Sequence, residues 1–209
     1  MLRNSILCLF ILSLFTGCQS DLNKRLDIVE MDELWRNGEL LKAKEVTEQY
    51  LAETQENELA WTMLGHIESD LDQDSLAVVA YNKALDVNPN TVEAITGLGI
   101  ISRKKGDLNE ASDYYYEAIR IDPDYAEAYS SLVVINLKQK KFDEAVEVGL
   151  KGYELSKSNG VIAANLATAY HYVNDTINRE KYFNIAKKNG YKNAATLELV
   201  FSGELTIFD

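Results

Sequence analysis

Six residues recur at one fixed spacing, and that spacing excludes most folds. Leu64, Gly65, Ala77, Tyr81, Ala84 and Pro89 return 34 residues later, without a gap, as Leu98, Gly99, Ala111, Tyr115, Ala118 and Pro123. A third copy from Ala126 keeps Tyr129, Leu132, Phe142 and Ala145, and a fourth from Gly160 keeps Leu166, Ala167, Tyr170, Phe183 and Ala186. Ala43 precedes Ala77 by 34 residues and Gly38 precedes Gly106 by 68, so a worn first copy begins near Lys24. A period of this length belongs to a stack of small units, each burying its apolar face only against its neighbours.

Within each copy, apolar residues at three- and four-residue spacing predict two helices separated by a short turn. Asn37-Gly38 and Gly106-Asp107 are turn dipeptides. Asn88-Pro89 and Asp122-Pro123 end the second helix, because the residue before proline avoids the helical region. Small residues at Gly65, Gly99 and Ala167, and at Ala77, Ala111 and Ala145, predict close approach of paired helices. Tyr81, Tyr115 and Phe183 are expected to fill the space between successive pairs. Gly149 and Gly152 replace an aromatic residue and an alanine in the third copy, which predicts a loosely packed second helix and a soft joint. Arg179 replaces an alanine in the fourth, its stem expected over the surface with the charge in water. A last helix is expected from about Asn193 to Phe201, stopped near Gly203 and covering the end of the stack.

The pattern resembles the tetratricopeptide repeat family over about residues 24–191. The resemblance implies an all-α fold: helix-turn-helix repeats stacked in a right-handed superhelical solenoid, here with a C-terminal capping helix. The repeats divide as 24–57 (degenerate), 58–91, 92–125, 126–159 and 160–191, followed by a capping helix and tail over 192–209. It also implies a concave face lined by the first helix of each copy. The inward positions assigned to a peptide-binding groove are His66, Thr96, Ile100, Arg103, Lys104, Ser130, Val134, Leu137, Lys138, His171 and Tyr172. Ile100, Val134 and Leu137 form an apolar strip flanked by Arg103, Lys104 and Lys138, suited to a peptide with apolar anchors and an acidic flank. The chaperone-gripping clamp of lysines and asparagines is absent from the matching positions, which hold Ile28/Asp32, Thr62/His66, Thr96/Ile100 and Ser130/Val134.

The first residues carry a separate signal. A positive start at Met1–Arg3, an apolar run over Ile6–Phe15 and the small residues Thr16 and Gly17 follow the plan of a secretory signal. Ten residues of apolar core are too few for a spanning helix, which needs about 20. The join Leu14-Phe15-Thr16-Gly17-Cys18 resembles the lipobox of bacterial lipoproteins, although Phe15 stands where that family prefers leucine. The resemblance implies cleavage after Gly17 (residues 1–17 removed), lipidation of Cys18, and a short tether over 18–23. Each buried methylene of an acyl chain contributes about 0.8 kcal/mol, so several chains make a lasting anchor. Gln19 stands where an aspartate would retain the protein at the inner membrane, so the resemblance implies the outer membrane, with the chain on its periplasmic side.

Several functions are disfavoured by composition. The formal net charge is −12, and −13 once residues 1–17, with their single charged residue Arg3, are removed; such a surface repels phosphate backbones, so no nucleic-acid partner is expected. The cysteines are Cys8 and Cys18 and the histidines His66 and His171, which leaves the body without a disulfide framework, a cysteine nucleophile or a clustered metal site. No phosphate-binding loop or nucleophile elbow occurs. The expectation is a non-enzymatic scaffold without cofactor, metal or small-molecule substrate, which recruits or assembles protein partners in the cell envelope. The alternative is a self-assembling structural subunit, completed in a neighbour by the apolar tail Leu205, Ile207 and Phe208.

Overall fold

The five turns inside the repeats share one backbone device. Gly38, Asp72, Gly106, Lys140 and Asn174 all have positive φ, between +57° and +89°, and they too lie 34 residues apart. At each, the next residue's N–H reaches back to close the preceding helix: Glu39 to the Leu34 carbonyl, Gln73 to Glu68, Asp107 to Ser102, Lys141 to Asn136 and Asp175 to Tyr170, at 2.8–3.0 Å. This is the Schellman closure, which satisfies carbonyls that the helix end would leave bare. Glycine takes that conformation without strain at two of the five places; Asp72, Lys140 and Asn174 take it with a side chain in the way.

The computed structural model describes residues 28–207, and among them every regular element is a helix. Residues 1–27, with Cys18, the cleavage site and the tether, lie outside the described residues, as do Phe208 and Asp209. Helix α1 covers 28–36 of the described residues. It is followed by α2 (Leu40–Glu53), α3 (Glu58–Asp70), α4 (Asp74–Val87), α5 (Val92–Lys105), α6 (Leu108–Ile121), α7 (Ala126–Lys138), α8 (Phe142–Leu155), α9 (Gly160–Tyr172), α10 (Thr176–Lys188) and α11 (Ala194–Ser202). The first helices α3, α5, α7 and α9 thus start at 34-residue steps. None of the described helices is long and apolar enough to cross a membrane.

Side-chain caps fix several starts. Asn57 accepts from the Ala60 N–H, Asn159 from the Val161 and Ile162 N–H groups, and Asp175 from the Asn178 N–H; each satisfies donors that the first helical turn cannot. At the two proline sites, α4 and α6 stop before Asn88 and Asp122, both extended. Their side chains then accept the N–H two residues on, at Asn90 and Asp124.

The chain divides into two compact units, one ending at Ala94 and the other starting at Ile95, inside α5. In the first, α2 packs on α3 and α3 on α4. Ala77, Ala84 and Ala43 are fully buried, and Lys44 on α2 reaches Glu68 on α3 at 2.7 Å. Gly65 has a specific reason: a methyl group there would lie 2.4 Å from Cε1 of Tyr81. The tyrosine ring therefore lies against the glycine of its own helix pair.

In the second unit, each helix from α6 to α11 meets its sequential neighbours, and α7 also packs on α9, the first helix of the next pair. Tyr115 repeats the arrangement of Tyr81, with Cε1 2.7 Å from where a methyl on Gly99 would sit. The loosely packed third copy is not found. Added methyls at Gly149 and Gly152 would meet Leu166 Cδ1 at 2.9 Å and Tyr129 Cβ at 3.0 Å. Both glycines are buried at the points where α8 closes on its neighbours, so they tighten the joint. Helix α11 caps the unit on α9 and α10, with Phe201 edge-on to Phe183. Arg179 also departs from expectation. Its side chain is only 19% exposed and its guanidinium lies 5.3 Å from the centre of the Phe201 ring, because α11 covers the place where the charge was expected to meet water.

Candidate peptide-binding surface

In the first unit, α1, α3 and the start of α5 line an apolar cleft of about 400 Å³ whose walls include Ile28, Met31, Trp35, Leu59, Met63 and His66. The aromatic wall is held rigidly. The Trp35 indole N–H donates to the Asp70 carboxylate at 2.7 Å, and the ring stacks on His66 with centroids 5.5 Å apart. His66 Nδ1 in turn pairs with the Tyr81 hydroxyl at 2.9 Å. Burial pushes the His66 pKa below its ordinary value, with Asp70 opposing. A neutral, anchored imidazole beside an indole is a flat apolar surface with fixed orientation, which is what a peptide anchor needs.

The other assigned positions belong to the second unit and differ in accessibility. Lys104 and Lys138 are exposed, and Ile100, Arg103, Val134, His171 and Tyr172 are half-buried. Thr96, Ser130 and Leu137 are buried, so a ligand would meet the residues around them. Ser130 is engaged: its hydroxyl oxygen accepts from Asn165 on α9 at 2.9 Å, tying α7 to α9. Arg103 and Ser131 both bear on the Tyr115 hydroxyl, whose pKa burial raises against their pull.

At the far end of that face the structure brings aromatic residues together. Tyr172 stacks on Phe142 at 5.0 Å. His171 touches Tyr172 and Phe201, at 5.0 and 5.1 Å between ring centres, and burial together with Arg179 lowers its pKa. Leu137 joins Val133, Ala145 and Ala169 in an apolar cluster beneath them. Two features of the site escape a reading of the sequence. Asn165 carries no signal beyond its place on a first helix. Trp35 stands at an inward position, but its pairing with Asp70, 35 residues on, depends on the stacking of α1 against α3.

Among the described residues no three metal-ligating side chains converge.

Sequence models of the tetratricopeptide repeat match residues 59–91 and, as "TPR repeat", residues 99–140. No curated protein matches the chain in sequence. Among solved structures, the fold is similar to that of pilF of Pseudomonas aeruginosa, with TM-score 0.73 and 19% identity over 88% of this chain and 86% of that one. A thermophilic TPR protein of Thermus thermophilus gives TM-score 0.72 and 17% identity, over 86% and 97% of the two chains. YrrB, a TPR protein with an unusual peptide-binding site, gives TM-score 0.56 and 17% identity, over 86% and 91%. The chain carries tetratricopeptide repeats, and its fold is that of proteins built from them.

Proposed function

We propose that this protein is a non-enzymatic scaffold, held at the bacterial cell envelope by lipid on Cys18, which recruits or assembles envelope proteins through the inward positions of its first helices. The observation that carries the binding half of this reading is the cleft beside Trp35 and His66: an apolar recess with walls fixed by Asp70 and Tyr81. Rigid aromatic walls favour binding because little side-chain entropy remains to be lost. The peptide-binding neighbour YrrB supports the same class of work. The anchoring half is supported by the sequence alone, through the Gly17-Cys18 junction, and the outer membrane facing the periplasm is the location that Gln19 favours.

The experiment is affinity capture from envelope extracts with the mature chain, compared with an Ile100→Ser, Arg103→Glu, Lys138→Glu variant and with Trp35→Ala. Partners captured by the parent should be lost by one or both variants. Retention of every partner by both would refute the assigned face. Labelling with a fatty acid tests the anchor: incorporation should disappear in Cys18→Ser.

A further inference from the structure

The acidity of the chain is concentrated in its first unit. Residues 28–94 hold 15 Asp and Glu against four Lys and Arg, a net −11, whereas residues 95–209 hold 16 against 14, a net −2. A surface so acidic raises the local concentration of basic segments, most of all at a recess with apolar walls.

The cleft beside Trp35 is such a recess. The charged residues among those lining it are Asp32 on α1 and Glu93 on α5, both acids. Asp32 accepts from Arg36 at 2.7 Å, but the guanidinium side chain is 71% exposed, and a pair so open to water is weak. Glu93 is exposed. Two donors of the lining are already engaged, the Trp35 N–H by Asp70 and the Thr62 hydroxyl by the Glu58 carbonyl, each at 2.7 Å. Val29 and Leu59, by contrast, line the cleft while 50% and 54% exposed, and covering them removes apolar surface from water.

Charge also sorts the occupants. A second copy of this acidic chain and an anionic lipid surface both meet repulsion. A basic segment meets attraction, and its lysine or arginine can also lie over an aromatic ring. The sign is opposite to the one that Arg103, Lys104 and Lys138 give their own strip in the second unit.

We propose that the cleft of the first unit receives a basic segment of a partner protein, with an apolar side chain among Trp35, Leu59 and Met63 and a lysine or arginine facing Asp32 and Glu93. This names the partner chemistry of the cleft and rests on the scaffold reading only for the use of that cleft. Capture from extracts tests whether the cleft serves partners, whereas defined peptides test the sign of charge it selects, so the two can fail separately.

The probes are three peptides, titrated by calorimetry into the chain from residue 18 onward carrying Cys18→Ser. They are Lys-Lys-Ala-Phe-Leu-Ala-Lys-Lys, its counterpart with glutamate for every lysine, and its counterpart with serine for phenylalanine and leucine. The first should bind saturably, about tenfold or more tighter than either of the others. Raising the salt from about 0.01 to 0.15 M should narrow the gap between the first and the second, because the Debye length falls from about 30 to 8 Å. Glu93→Lys and Leu59→Ser, both at exposed positions, should each weaken the first peptide about fivefold or more. Glu53→Lys, an equal change of charge at an exposed residue outside the lining, should weaken it less than about twofold. Unchanged helical circular dichroism certifies that the variants remain folded. Equal or tighter binding of the glutamate peptide, no saturable binding of any peptide, or equal losses in Glu93→Lys and Glu53→Lys overturns the proposal. So does a chain that is dimeric alone and is released as monomers by the peptide, which would put a second copy in the cleft.

Discussion

Replacing Gly65 with alanine should destabilise the first unit even though alanine is the better helix former. The added methyl would lie 2.4, 2.5 and 2.9 Å from three carbons of the Tyr81 ring, well inside contact distance. The ring has nowhere to go, being 1% exposed and tied through its hydroxyl to His66 at 2.9 Å. Overpacking of this kind costs about 1–3 kcal/mol, and three simultaneous close contacts put this site near the upper end. The gain from removing a helical glycine is about 0.5–1 kcal/mol. The net loss is therefore about 2 kcal/mol, read as a lower urea midpoint by circular dichroism with an unchanged slope. A second variant decides the cause. In a Tyr81→Leu background the obstructing ring is gone, and Gly65→Ala should become neutral or stabilising by up to about 1 kcal/mol. If the cost is the same in both backgrounds, the close approach of ring and glycine is not what the glycine serves.

The repeated turns offer a cleaner test of backbone strain. A methyl at Gly106 would meet nothing within 4 Å, yet φ there is +89°, so Gly106→Ala should cost about 1–2 kcal/mol from conformation alone. Lys140→Gly, at φ +60°, should recover about 0.5–1 kcal/mol after the entropy of glycine is subtracted; both are measured by urea titration. Lys44→Met should cost about 2–3 kcal/mol, because it strands the buried Glu68 carboxylate while Lys44 itself is a quarter exposed. The double change Lys44→Met, Glu68→Leu should restore most of that loss, and an equal cost for the double variant would deny the coupling. The two histidines set a pH dependence. Both have pKa values lowered by burial, so the unfolded chain binds protons first as the pH falls. Stability should then hold above about pH 6.5, the ordinary histidine value, and decline as pH falls below it. His66→Gln should flatten that decline in chemical-denaturation series run from about pH 8 to 5, and an identical slope in the variant would contradict the buried, neutral imidazole.

The repeat was legible because each landmark answers a local need that the residue itself reveals. Two helices need a stop, and proline after Asn88 and Asp122 supplies one. A narrow contact needs a small residue, and Ala77, Ala111 and Ala145 supply it, each fully buried. The turn signal was only half visible. Gly38 and Gly106 announce a left-handed residue and Asp72 and Asn174 tolerate one, but Lys140 adopts the same conformation with no such preference of its own. The direction of the aromatic rings was also hidden, since a tyrosine 16 residues after a glycine can face its own pair or the next. Gly149 and Gly152 show why the loss of side chains does not imply loose packing. Leu166, Val133 and Tyr129 move into the space they leave, so tightness depends on what approaches a glycine.

The candidate binding face was legible as a register and not as a surface. Counting positions along first helices found Leu137, His171 and Tyr172, but register is silent on what else covers those side chains. Arg179 and Ile207 illustrate the gap. Their own chemistry assigned them, a charge to water and an apolar residue to a neighbour, and both are taken up by the same chain through α11 and the turn at Gly203. The reason is common to stacked repeats. Their last unit has an uncovered side, and any segment beyond it is held close by the chain, at concentrations that a free partner seldom reaches. An apolar segment after a capping helix therefore tends to settle on the nearest apolar face of its own stack.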